Sequence, residues 1–169
     1  MKRPLIVSYS YSGNTHQIGR QLQAITSGDW REIHPWQPYP MAFSELLGQV
    51  KREIGSGYYP RLLPGAGSPR PYQVIFAGSP DWCGTIAPPM ASWLYRNDLS
   101  GKIILPFYSY CGGVVGDIRK DIAELCPKAD VREPLGIVEH GGEELMGILR
   151  QWLIRTGVAD SLLISIGER

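Results

Sequence analysis

The sequence has almost no charge excess: 17 Lys and Arg stand against 16 Asp and Glu in 169 residues, a formal net charge of +1. That balance excludes the clustered basic footprint of a nucleic-acid binder and any acidic or polybasic tail. Cysteine is scarce as well. Cys83, Cys111 and Cys126 are an odd number, far apart, with no Cys-x-x-Cys and no Cys/His cluster. Neither a disulfide framework nor a zinc site is expected from them. No apolar run approaches the roughly 18 residues of a membrane span, and Leu5-Ile6-Val7 is too short for a secretory core. A reducing, cytoplasmic setting is the expectation. Glycine and proline, by contrast, are abundant at 20 and 14 residues. They announce many loops, while the 43% hydrophobic content is that of a folded chain. The length suits one domain, residues 1–169.

Apolar runs alternate with segments of helical period. Leu5 to Tyr9 reads as a buried strand, followed by a helix with Ile18, Leu22 and Ile25 on one face. Trp30 to Ile33 reads as a shorter strand, and Val74 to Gly78 as another buried one. Pro88-Pro89 opens a helix that turns Met90, Trp93 and Leu94 inward. Lys102 to Tyr108 is the next strand, and Val115, Ile118, Ile122 and Leu125 stripe the next helix. Val131 to Leu135 suits only an edge, because Pro134 has no N–H for a ladder. Leu145, Ile148, Leu149, Trp152 and Leu153 mark the last helix.

Strands without polar alternation, each followed by a helix, predict an α/β three-layer sandwich with a five-stranded parallel sheet in order 2-1-3-4-5. Between strands two and three an irregular crossover from Pro35 to Pro71 carries a helix over about residues 42–54 (Phe43, Leu46, Leu47, Val50, Ile54). The tail after Gly157, with Leu162-Leu163-Ile164, fits either an added strand or a contact that would build a homodimer; the sequence leaves both open.

Such sheets bind ligands at the carboxyl ends of their strands, which brings together the loops after strands one, three and four. The first, Ser10-Tyr11-Ser12-Gly13-Asn14-Thr15, sets three hydroxyls, a glycine and free N–H groups at a helix start, an anion cradle without a cation. It lacks the Gly-Lys-Ser/Thr ending of a nucleotide P-loop and the three spaced glycines of a dinucleotide fingerprint. A plain Ser/Gly turn with a helix cap reads equally well, and His16 reads as a solvated first-turn residue. The second loop, Ser79-Pro80-Asp81-Trp82-Cys83-Gly84-Thr85, offers an indole to a planar ligand, or simply to a neighbouring loop. Cys83 is redox-active only with a base or partner, and the sequence identifies none. The third, Ser109-Tyr110-Cys111-Gly112-Gly113-Val114-Val115-Gly116, suits contact through the backbone. A Cys-x5-Arg phosphatase loop fails, since the position required of its arginine is Asp117, and no Gly-x-Ser-x-Gly is present. A receiver domain is excluded because Ser8-Tyr9-Ser10 lacks the acidic pair that would hold Mg²⁺.

These motifs together resemble the flavodoxin-like FMN proteins. Ser10-x-Ser12-Gly13-Asn14-Thr15 matches that family's phosphate loop. Glu32-Ile33-x-Pro35, Pro38-Tyr39-Pro40, Pro80-x-Trp82-x-Gly84-Thr85 and Leu99-Ser100-Gly101-Lys102 extend the likeness over nearly the whole chain. Two positions depart from it. Trp82-Cys83 stands where the subgroup often has two tryptophans, and Val114 where it has Ser or Thr.

The resemblance implies a flavodoxin-like fold with FMN as cofactor. Ser10, Tyr11, Ser12, Gly13, Asn14 and Thr15 would hold its phosphate. Pro80, Asp81, Trp82, Cys83 and Gly84 would meet the ring, and Ser109, Tyr110, Cys111, Gly112 and Gly113 its pyrimidine edge. Tyr39 would either cover the flavin or merely pack, and packing reads better. The flavin carries the chemistry, so no catalytic side chain is needed.

The implied function is electron transfer to an unidentified redox partner, or oxidoreduction of a small acceptor such as a quinone. Only Asp81 and Asp117 lie near the flavin loops by sequence position. That shortage of acidic charge tilts the reading from the acidic shuttle toward the oxidoreductase. The alternative is a non-redox binding module that keeps the fold without flavin.

Overall fold

Leu5-Ile6-Val7 is apolar on both sides, so a strand built from it needs cover on both faces. The computed structural model, which describes residues 3–113, 115–160 and 162, supplies that cover. β1 (Leu5–Ser8) lies between β2 (Asp29–Glu32) and β3 (Val74–Trp82), parallel to both. A two-residue strand, β4 (Thr85–Ile86), folds back antiparallel on the end of β3. β5 (Ile103–Tyr110) pairs parallel with β3 and carries β6 (Asp130–Val131) and β7 (Leu135–Val138) on its far side.

Alternate side chains enter two cores. Leu5, Val7, Ile75, Ala77 and Ile104 meet α2 (Phe43–Ser56), α3 (Pro88–Arg96) and α4 (Ile118–Leu125) through Val50, Met90, Trp93 and Ile122. Ile6, Phe76, Leu105 and Phe107 meet α1 (Asn14–Thr26) and α5 (Leu145–Arg155) through Ile18, Leu22, Leu149 and Trp152. Gly78 permits one close approach in this second core. A Cβ there would stand 2.2 Å from Cζ of Phe107.

The sheet is the expected three-layer arrangement, in order β2-β1-β3-β5-β6, with two differences of detail. The hairpin strand β4 is additional, and the fifth strand is broken into β6 and β7. Ile104 pairs with Val131 and Phe107 with Leu135, so the edge advances one residue more than β5 over the same span. That extra residue is a bulge. The break lies beside Pro106. The N–H groups of β5 alternate sides, that of Ile103 reaching back to Gln73, so the missing one at Pro106 is on the edge side.

One further expectation is corrected. Asp117 caps α4 by accepting from the Lys120 N–H at 3.0 Å, so the helix begins at Ile118 and Val115 precedes it. Leu162 is buried in the α1/α5 core, its N–H on the Val158 carbonyl. The rest of the tail, including Leu163 and Ile164, lies outside the described residues. So does Val114.

Candidate functional site

The loops leaving β1, β3 and β5 open at the same sheet edge, because these parallel strands are neighbours. They meet in one cleft of about 470 Å³. Tyr11, Ser12 and Asn14 line it from the first loop, Pro80 to Cys83 from the second, and Ser109 to Gly112 from the third. The fourth side is α2, through Phe43, Leu46, Leu47 and Val50. Asp81 is the one charged side chain on the described wall.

In the first loop Gly13 takes φ 97°, a left-handed turn that suits glycine, and the chain enters α1 with no side-chain cap. The first amides of α1 are thereby left for another partner. Two of the three expected cradle hydroxyls are already engaged. Ser10 Oγ accepts from the Gly13 N–H at 3.0 Å, closing the turn. Thr15 Oγ1 and Ser109 Oγ share a buried hydrogen bond of 2.8 Å between the first and third loops. Thr15 is therefore buried behind the wall, Ser10 and Gly13 are half-buried, and Ser12 carries the exposed hydroxyl. Tyr11 donates to the Pro40 carbonyl at 2.7 Å, which ties this loop to the crossover.

The second loop is a hairpin. Trp82 pairs with Thr85, leaving Cys83 and Gly84 as a two-residue turn with φ 55° and 80°, the pattern of type I′. The Asp81 carboxylate accepts from the Gly84 N–H at 2.9 Å and braces the turn. Burial pushes the Asp81 carboxyl above the usual carboxylate range, and this bond pulls it partly back.

Trp82 is half-buried and meets three tyrosines nearly at right angles, with centroid distances of 5.6 Å to Tyr9, 5.8 Å to Tyr11 and 5.0 Å to Tyr39. It packs against its neighbours while still lining the cleft. Tyr39 is a packing residue: it is buried and donates to Glu53 Oε2 at 2.5 Å, with Gln49 donating to Oε1 at 2.9 Å. Burial, and then the bond to Glu53, raise the Tyr39 phenol far above its ordinary value.

The third loop runs through Gly112 and Gly113, both at positive φ. Gly113 and Gly84 line an adjoining hollow with Gly116 rather than the cleft. Gly116 lies against the Gly84 carbonyl so closely that a Cβ would be 1.7 Å from its oxygen. Asp117 is also away from the cleft, in a separate hollow with Arg119 and Glu133, because its carboxylate is turned to cap α4.

His16 differs from the solvated residue expected. It is largely buried against Trp30, at 5.6 Å and 83°, with Nδ1 3.9 Å from Glu32. Its Nε2 is buried with no hydrogen-bond partner among the described residues. Burial lowers its pKa, and the Glu32 charge opposes that shift.

The α2 wall is the part of the cleft that sequence reading missed. Its signal was present as an apolar stripe at Phe43, Leu46, Leu47 and Val50 that exceeds what one buried face needs. Only Leu46 and Val50 turn fully into the core. Among the described residues no cluster of three acidic, His or Cys side chains could hold a metal, and no helix is long and apolar enough to cross a membrane.

No curated protein matches the chain. Several solved structures share its fold. A Bacteroides eggerthii protein assigned as a flavoprotein is 22% identical, with TM-score 0.79, over 92% of this chain and 98% of that one. The flavoprotein from Lactobacillus acidophilus in complex with FMN is 19% identical, with TM-score 0.68, over 80% and 93%. Oxidised flavodoxin 2 from Bacillus cereus is 19% identical, with TM-score 0.56, over 92% and 97%. The flavodoxin family model itself aligns with residues 3–153, from the start of β1 to the last turns of α5 and through all three cleft loops. By that match, the chain belongs to the flavodoxin family.

Proposed function

We infer that the cleft binds FMN and that the protein is a redox protein acting on a small, apolar acceptor such as a quinone. The observation that carries this reading is the convergence of an uncapped helix start and two further loops on one mainly apolar cleft with a single carboxylate. The group fits the residues present. The free amides of α1 and the Ser12 hydroxyl suit a phosphate monoester, which backbone dipoles hold without a cation. Trp82 and Cys83 suit a planar ring, and Ser109 to Gly112 its polar edge.

Bound flavin supplies electron transfer in steps of one or two electrons. The chain's part is to hold and orient it: the aromatic cluster fixes Trp82, the Asp81 bond fixes the hairpin, and α2 keeps water from one side. The FMN carried by the Lactobacillus acidophilus flavoprotein supports the same reading.

Protein purified from cells is expected to be yellow and to release FMN. Colourless protein that leaves added FMN fluorescence unquenched overturns the reading in favour of a binding module without flavin. The near-neutral charge and the apolar α2 wall favour a small acceptor over a basic protein partner. Photoreduction in one two-electron step with quinone turnover supports that role. Two well-separated one-electron steps without turnover support a shuttle.

A further inference from the structure

Asp81 is the one charged side chain on the described wall of the cleft, and the fold holds it half-buried there. One carboxylate oxygen is fixed by the Gly84 N–H at 2.9 Å. The other takes no protein hydrogen bond among the described residues, yet it is not sealed from solvent. Asp81 also lines the adjoining hollow of about 550 Å³, whose other walls are Cys83, Gly84, Gly112, Gly113 and Gly116. Cys83, Gly112 and Gly113 are exposed, so Asp81 stands between the cleft and a glycine-lined opening to water. Its surroundings give the carboxyl no cation. The first loop presents Tyr11 to the cleft, β5 presents Tyr110, and the second and third loops present Cys83 and Cys111. The phenol of Tyr108, also on β5, is pushed up by burial and then by the Asp81 charge. Arg119 of α4 lies in the next hollow and is engaged by Glu133 at 3.4 Å, while Asp117 there caps its helix. Burial therefore acts on Asp81 opposed only by the Gly84 bond, and its carboxyl keeps a proton to a higher pH than an exposed aspartate does.

Reducing a quinone to its hydroquinone takes two electrons and two protons. The anionic reduced form of a flavin brings two electrons and one proton, so the second proton has to come from elsewhere. The α2 wall has none to give, because Phe43, Leu46, Leu47 and Val50 carry no acid. We propose that Asp81 supplies this proton to a quinone bound in the cleft and is recharged from water through the glycine-lined hollow. The Asp81 O–H bond breaks as an O–H bond forms on one quinone oxygen, and Asp81 is left as carboxylate. The reduced flavin gives its electron pair and its own proton to the quinone and returns to the oxidised state. A proton from water then restores the Asp81 carboxyl. This role rests on the reading above of FMN and a small acceptor.

The test compares two oxidants of the full-length, FMN-loaded protein, which is reduced and then mixed with each by stopped flow. Benzoquinone needs protons, whereas ferricyanide takes electrons alone. In the unmodified protein the benzoquinone rate, relative to the ferricyanide rate, is expected to fall as pH rises through the Asp81 pKa. Asp81→Asn keeps a side-chain oxygen for the Gly84 N–H and removes the proton. Below that pKa it is expected to lower the ratio by about tenfold or more, and to abolish its pH dependence. An unchanged ratio, or a parallel loss of both rates, overturns the proposal and leaves FMN binding intact. Carbon-13 NMR titration of the aspartate carboxyls in the unmodified protein gives a second readout that needs no acceptor. The Asp81 midpoint is expected above the ordinary value of about 3.9. A midpoint at or below that value overturns the proposal even where the variant does not fold. Protein that binds no FMN overturns the function inferred above, and the proton role with it, wherever Asp81 titrates.

Discussion

Ser12 and Thr15 belong to one loop and are both hydroxyl residues, yet the fold gives them different duties. Thr15 is buried on Ser109, so Thr15→Val strands a buried hydroxyl. It is expected to lower unfolding stability by about 1–3 kcal/mol, read from urea denaturation. Any loss of FMN affinity in that variant follows from displaced loops. Ser12 is exposed on the cleft wall. Ser12→Ala is expected to leave the urea midpoint nearly unchanged and to weaken FMN by about 1–3 kcal/mol in a fluorescence titration. Equal FMN loss in the two variants would move the phosphate away from Ser12. His16 provides a second case. Its folded-state pKa is lowered by burial, so below the ordinary value near 6.5 the unfolded chain takes up the proton first. Stability is therefore complete above about pH 6.5 and falls as pH drops toward the folded-state pKa. His16→Gln is expected to flatten that part of a Tm-against-pH curve. None of these distinctions was legible in the letters, because a hydroxyl or an imidazole has the same identity whether or not the fold has given it a partner.

The elements themselves were far more legible. Buried parallel strands are apolar on both faces, and their helices show one apolar stripe, so Leu5-Ile6-Val7 and the Ile18, Leu22 face declared themselves by pattern alone. What escaped was chemistry at the joints. The hairpin at Cys83-Gly84 carries Cys where Asn or Asp would signal a type I′ turn. The break in the fifth strand depends on a register difference that exists only between paired strands. Helix α2 was legible as a helix but not as a cleft wall. Phe43, 75% exposed at its start, contributes little to the core. Phe43→Ser is therefore expected to leave Tm almost unchanged while raising KM for an apolar quinone about tenfold, the order of one partly buried aromatic contact. An unchanged KM would place the acceptor elsewhere on the cleft.

For the molecule as a whole, the net charge of +1 sets how it meets other molecules. Without a field of one sign there is little electrostatic steering. The rate of reduction by, or transfer to, a partner is expected to vary by less than about threefold between roughly 0.05 and 0.5 M salt, measured by stopped flow. A steep salt dependence would reveal a local charged patch that the overall balance conceals.

The sequence by itself determined the layers, the strand order and the meeting of three loops at one sheet edge. Periodicity and parallel connection dictate these wherever side chains are apolar enough to demand burial. The tertiary structure alone decided which hydroxyls are free, which aromatics hold Trp82, that α2 closes the fourth side, and that Cys83 and Cys111 share a cleft. Those facts depend on contacts between residues far apart in the chain, and no local pattern carries them.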